Sequence, residues 1–198
     1  MASERHTTAQ GPVTDDPVLR AAWSCVMDVG LRRTTLADVA RRAGVSRMTV
    51  YRQFADLTTV VSALLTTELV ALLEQARAET AHHPTARDRL VESGLLVVER
   101  LVAHPLLRRV LDVDPELLLP LVVDRLGSTQ RAAVDLVAGQ VAEGVADGSV
   151  RTDDPRATAL VLLLTTQSFV FSARVVEREL PGGGAPAQLR RLLEGYLS

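Results

Sequence analysis

Apolar residues recur along most of the chain at helical spacing, and no stretch alternates as a half-buried strand would. Leu19, Ala22, Trp23 and Val26 stand at i, i+3, i+4 and i+7, behind Asp16 as a cap and Pro17 in the first turn. Gly30 marks the stop of that helix. Leu36, Val39, Ala40 and Ala43 repeat the spacing, opened by Thr35 with Asp38 as a capping box and closed by Gly44. Ser46 caps a third helix, about Arg47 to Phe54, whose inner face is Val50 and Phe54.

The remainder also reads as helix. Asp56 opens a long segment carrying Val61, Leu64, Leu65, Leu69, Leu72 and Leu73, which ends at His83-Pro84. Thr85 opens the next, with Asp88 three residues on, and it ends near His104-Pro105. A short turn of helix at Pro105–Asp112 follows, then a helix from Asp114-Pro115 to Leu126 and another from Ser128 to Ala146. Asp154-Pro155 begins a strongly apolar helix that runs to about Leu180, and Pro186 to Leu197 forms the last. The expected fold is therefore all-α. Residues 1–14 form a polar arm without periodicity, residues 15–56 a three-helix domain, and residues 57–198 a larger helical domain.

Composition narrows the classes. The 198 residues are 47% hydrophobic and 23% charged, which excludes a disordered chain. Only 3% is aromatic, so Leu, Val and Ala must build the core. One cysteine, Cys25, excludes a disulfide framework and any Cys-based zinc site; it reads as a small core residue. His82 and His83 are adjacent, which on a helix points them apart and makes them a poor metal pair. The 17 residues Ala157–Ala173 carry no charge, but Thr165, Thr166, Gln167 and Ser168 interrupt them, so burial between subunits is expected rather than a membrane span. The N-terminus holds no apolar run resembling a signal peptide, and the expected compartment is the cytoplasm.

Charge is distributed unevenly. All 22 basic residues are Arg, and the formal total is −2. Residues 1–55 carry a net +3 and residues 56–198 a net −5. Six Arg against one acid lie between Leu31 and Ala55. A basic segment on an acidic body suggests a surface for a large anion, of which nucleic acid is the commonest. The count alone fits a solvated face equally well.

The stretch from Thr34 to Phe54 has the pattern of a helix-turn-helix. Val39, Ala40 and Ala43 keep the back of the first helix small and apolar, Gly44 permits the turn, and Val45 anchors it. With Val50 and Phe54 inward, Arg47, Met48, Tyr51 and Arg52 share one outer face. Arg can bond guanine O6 and N7 together, and Met48 can touch a thymine methyl. Tyr and Thr hydroxyls suit phosphate oxygens, which set register.

The run Thr34-Thr35-Leu36-x-Asp38-Val39-Ala40, then Ala43-Gly44-Val45-Ser46, then Thr49-Val50-Tyr51-x-x-Phe54, resembles the signature of TetR-family transcriptional regulators, over about Asp16 to Leu65. The resemblance implies base or nearby backbone contacts for Arg47, Met48, Tyr51 and Arg52. For Thr35 and Thr49 it implies an approach to phosphate. Where the family often has a phosphate-binding Lys at the start of the fourth helix, this chain has Leu57, so that contact is absent. Arg47 and Arg52, with Arg41 or Arg42, are left to carry affinity.

By layout, the resemblance also implies a C-terminal domain that senses a ligand and dimerises. Leu160, Leu164, Phe171 and Val175, with Leu189, Leu192 and Leu193, would supply a four-helix interface between two copies. An effector pocket would be mostly apolar with a few polar groups. Thr166, Gln167 and Phe169 are candidates for it, the alternative being hydrogen bonds within a dimer core. His104 is a further candidate, a surface helix end being its alternative.

The expected partners are a double-stranded, pseudo-palindromic DNA operator, a second copy of the chain and a small apolar or amphipathic effector of unknown identity, with no membrane. The expected function is repression released by that effector. A helical regulator whose C-terminal domain answers to a protein partner is the competing reading. No cofactor is called for, and four His and one Cys offer no convergent set for catalysis, so an enzyme is not expected.

Overall fold

Side-chain caps set where most of the helices begin. The Asp16 carboxylate accepts the backbone N–H of Val18 at 2.7 Å and of Leu19 at 3.1 Å. Asp56 accepts from Thr59 at 2.7 Å, Thr85 from Asp88 at 3.1 Å and Asp154 from Ala157 at 2.9 Å. Each cap satisfies donors that have no partner inside the helix. In the computed structural model, which describes residues 13–113, 127–180, 182 and 184–198, the chain forms ten α-helices and no strand among those residues.

The helices are α1 (Pro17–Val29), α2 (Leu36–Ala43), α3 (Arg47–Gln53), α4 (Leu57–Thr80) and α5 (Ala86–Ala103), then α6 (Pro105–Val113), α7 (Ser128–Ala146), α8 (Pro155–Phe171), α9 (Ala173–Glu179) and α10 (Gly184–Tyr196). The helix expected from Asp114 to Leu126 lies outside the described residues, as does most of the arm expected at 1–14. The end of the arm is tied down, because the Val13 N–H donates to Glu68 Oε1 at 2.8 Å.

Two hydrophobic clusters organise the packing. The first gathers Val26 from α1, Val39 from α2, Val50 from α3 and Leu64 from α4, and reaches Leu106 and Val110 in α6 and Val170 in α8. This core therefore runs across residue 56 without a break. The second joins Leu90 and Val91 of α5, Val141 of α7, Leu162 of α8 and Leu189, Leu193 and Leu197 from the C-terminal end of the chain. Arg190 pairs with Glu92, Nη2 to Oε2 at 2.9 Å, and fastens α10 to α5. Gly144 is needed for close approach, since a Cβ there would stand 2.5 Å from a Val150 methyl.

α4 is long and apolar enough to cross a bilayer by length and composition. In this fold it is the central helix, packed against α1, α5 and α7.

Three expectations need correction. The apolar helix from Pro155 does not run to Leu180: it breaks at Ser172, and α9 turns away from α8 by 69°. α9 buries no residue, and its Arg174 pairs with Asp112 at the end of α6, a contact an unbroken solvated continuation would not need. Leu189 and Leu193 do not face a second copy, because both are buried in the chain's own second cluster. Leu192, which flanks them on α10, is exposed. His82 and His83 do not point apart, since α4 ends at Thr80 and their ring centroids lie 4.2 Å from each other in the following turn.

Leu64 has no exposed surface and links α4 to the α1–α3 core. Leu64→Ala is expected to lower unfolding free energy by about 2–5 kcal/mol in urea titrations, whereas Met48→Ala on the outer face of α3 should stay within about 0.5 kcal/mol.

Candidate nucleic-acid interface and effector cavity

α2 and α3 are short and held by their ends. The Thr35 hydroxyl accepts the Asp38 backbone N–H at 3.1 Å, and Asp38 Oδ2 accepts from the Thr35 backbone N–H at 3.2 Å and its hydroxyl at 2.6 Å. The Thr35 hydroxyl, then the backbone N–H and Arg41, hold the Asp38 carboxyl below its ordinary range. Gly44, at φ 69°, takes the left-handed conformation that closes α2, and its N–H bonds back into the helix. Ser46 then caps α3 by accepting the Thr49 N–H at 3.1 Å, and the two hydroxyls lie 2.8 Å apart. Val50 and Phe54 are buried on the inner side.

That packing turns the other side of α3 outward. Met48 is 75% exposed and Tyr51 51%, and Arg47 and Arg52 are exposed beside them. The four residues expected on one face are brought together there. Thr35 is exposed at the mouth of α2, while Thr49 is half-buried and engaged with Ser46.

Two of the arginines between Leu31 and Ala55 are paired with acids on α1 and α2. Arg41 Nη2 meets Asp38 Oδ1 at 2.8 Å, and Arg42 Nη1 meets Asp28 Oδ2 at 2.6 Å. Arg33, Arg47 and Arg52 have no acidic partner among the described residues, which leaves their guanidinium groups available to a polyanion. Leu57, at the start of α4, packs against the core and offers no charge. Cys25 is buried in the same core, and burial pushes its thiol above the ordinary value.

A second feature lies between α4, α5, α7 and α8, a mostly apolar cavity of about 190 Å³. His104, Thr166 and Gln167 all line it. Phe169 does not: it packs against the second cluster, while Phe171, expected on the dimer face, lines the cavity and is also 36% exposed. Residues 163, 166, 167, 170 and 171 share one face of α8, and Phe169 lies on the adjoining stripe with Leu162, seven residues before it, which touches both the cavity and the second cluster. Gln167 Oε1 accepts from Gln130 Nε2 at 2.9 Å, which ties α8 to α7 within one chain.

Glu68 was not foreseen as a lining residue, yet it lines the cavity and is buried. Its signal was present, because it occupies the apolar register Val61, Leu64, Leu65, Glu68, Leu72 of α4. Among the described residues no group of three or more His, Cys, Asp and Glu converges as metal ligands.

The model for bacterial regulatory proteins of the tetR family matches residues 18–64. An uncharacterized HTH-type transcriptional regulator of Mycobacterium bovis is 36% identical over 184 residues, which is 93% of this chain and 94% of that protein. Among solved structures, the TetR family repressor AlkX of Dietzia sp. superposes with a TM-score of 0.69 at 20% identity, covering 94% of this chain and 95% of the other. The transcriptional regulator FadR of Bacillus subtilis, in complex with stearoyl-CoA, gives 0.58 at 16% identity, over 92% and 97% of the two chains.

α3 spans seven residues and leans on its cap. Ser46→Ala should cost about 0.5–2 kcal/mol, read as faster amide exchange in α3 with α7 unchanged.

Proposed function

The chain belongs to the TetR family of bacterial transcriptional regulators, and from that premise we propose that it is a homodimeric repressor that an apolar effector releases from its operator. The observation that carries the proposal is the outer face of α3, with Arg47, Met48, Tyr51 and Arg52 exposed over a buried Val50 and Phe54. An exposed methionine and tyrosine between two arginines suit base edges, a thymine methyl and flanking phosphates in one major groove. Thr35 and Thr49 are assigned to phosphate. Residues 15–56 are proposed as the reading domain and residues 57–198 as the sensing and dimerising domain, acting in the cytoplasm where the chromosome lies.

Dimerisation is assigned to the outward side of α8 and α10. Leu164 and Phe171 on α8, Val175 on α9 and Leu192 on α10 leave an apolar surface exposed, and Leu160 borders it. Exposed apolar residues in such number favour an interface. A two-fold dimer suits an operator whose half-sites recur at about one helical turn or a multiple of it. The cavity lined by His104, Thr166, Gln167 and Phe171 is proposed to hold the effector. The similarity to FadR of Bacillus subtilis, a structure in complex with stearoyl-CoA, supports a small molecule over a protein partner. A ligand that binds better to the dimer with mismatched half-site spacing shifts the population off DNA.

Base and phosphate contacts respond differently to mutation. Arg52→Ala is expected to cost about 1–3 kcal/mol at particular base positions, whereas Thr35→Ala should weaken all operator variants alike. Anisotropy titrations over single-base operator variants check this, and equal losses for both substitutions across every variant would contradict the assignments.

A further inference from the structure

The cavity between α4, α5, α7 and α8 has a lopsided set of charges. Among the described residues no arginine lines it, its one acid is Glu68 and its one base is His104. Glu68 is only 3% exposed. Its Oε1 accepts from the Val13 N–H at 2.8 Å, and its Oε2 lies 3.4 Å from His104 Nε2. A carboxylate has about four acceptor sites, and charge-assisted bonds to nitrogen run at about 2.7–2.9 Å. The histidine contact is longer than that. Glu68 therefore keeps capacity for a donor arriving through the cavity, in a setting where a buried carboxylate gains most from a full positive charge.

We propose that Glu68 is the head-group site of this cavity and that its ligand is an apolar molecule bearing a protonated amine. The proposal rests on reading the cavity as the effector site. The ammonium would donate to Glu68 Oε2 while the hydrocarbon lies along Leu65, Leu69, Val97 and Leu163, which line the cavity. An anionic head would meet the carboxylate with no described arginine to offset it. Of the other polar groups of the wall, Ser93 is engaged with Thr80, Thr166 with the α8 backbone, Thr129 with Thr66 and Gln130 with Gln167, and the remaining amides, of Gln140 and Gln167, carry no charge.

Capture of the amine also reaches the DNA-reading helices. The His104 ring packs edge-on against Trp23 of α1, with centroids 5.5 Å apart at 84°. A donor that competes for Oε2 loosens His104, and with it the contact to α1; the Val13 bond to the same carboxylate lies just ahead of α1.

The test titrates the full-length protein with decylamine, decanol and decanoate, each below its micelle concentration. Binding is measured by calorimetry and by the emission of Trp23, the single tryptophan of the chain. Decylamine is expected to bind about tenfold tighter than decanol or better, with decanoate weakest. In Glu68→Gln the advantage of the amine over the alcohol should vanish while the alcohol still binds. Decanoate binding as tightly as decylamine, or an amine preference unchanged in Glu68→Gln, overturns the proposal. Decanol binding with decylamine no tighter overturns it while leaving the effector cavity in place. Binding by none of the three overturns both. If Glu68→Gln fails to fold, the ranking of the three probes on the unmodified protein still decides.

Discussion

Val50 is fully buried, and the function of the molecule depends on that one insertion. A seven-residue helix is too short to persist in water on its own. It exists because Val50 and Phe54 are taken into a core built by α1, α2 and α4, and because the Ser46 hydroxyl accepts the Thr49 N–H in its first turn. Once the inner side is pinned, geometry leaves Arg47, Met48, Tyr51 and Arg52 no place but the outside. The basic character of residues 31–55 then becomes a surface. Two of the six arginines spend their charge on Asp28 and Asp38, which concentrates the available charge on α3 and its approach.

The same core carries the orientation of α3 into the rest of the chain. Leu64 belongs to it, and Glu68, one turn further along α4, lines the cavity. α6 enters the core through Leu106 and Val110, and His104, just ahead of it, lies against both Glu68 and Trp23. A close-packed interior transmits a displacement rather than absorbing it. On the proposed function, an occupant of the cavity and a duplex on α3 would act on two ends of one packed body, which is the physical condition for coupling between the sites.

Much of this was legible in the order of residues, because it rested on local chemistry. Asp16, Thr35, Ser46, Asp56, Thr85 and Asp154 announce helix starts, and each caps one. The spacing of Leu36, Val39 and Val50 announces the inner faces. What was not legible depends on partners distant in sequence. Periodicity says that a helix face is buried but not against what, so Leu189 and Leu193 could be taken for an interface when they pack on α5 and α8. α8 is apolar on nearly every side, and with no polar stripe to orient it, Phe169 could be taken for the cavity-lining residue that Phe171 is. Glu68 broke an otherwise apolar register, and that interruption was the mark of the cavity's polar end.

The outer face of α3 is proposed to enter the major groove of DNA. Guanine N7 lies in that groove, so interference by N7 methylation on DNA upstream of the coding region tests it most directly. Interfering guanines are expected in two clusters separated by about one helical turn or a multiple of it. A complex indifferent to N7 methylation, or no complex at low salt, would contradict it.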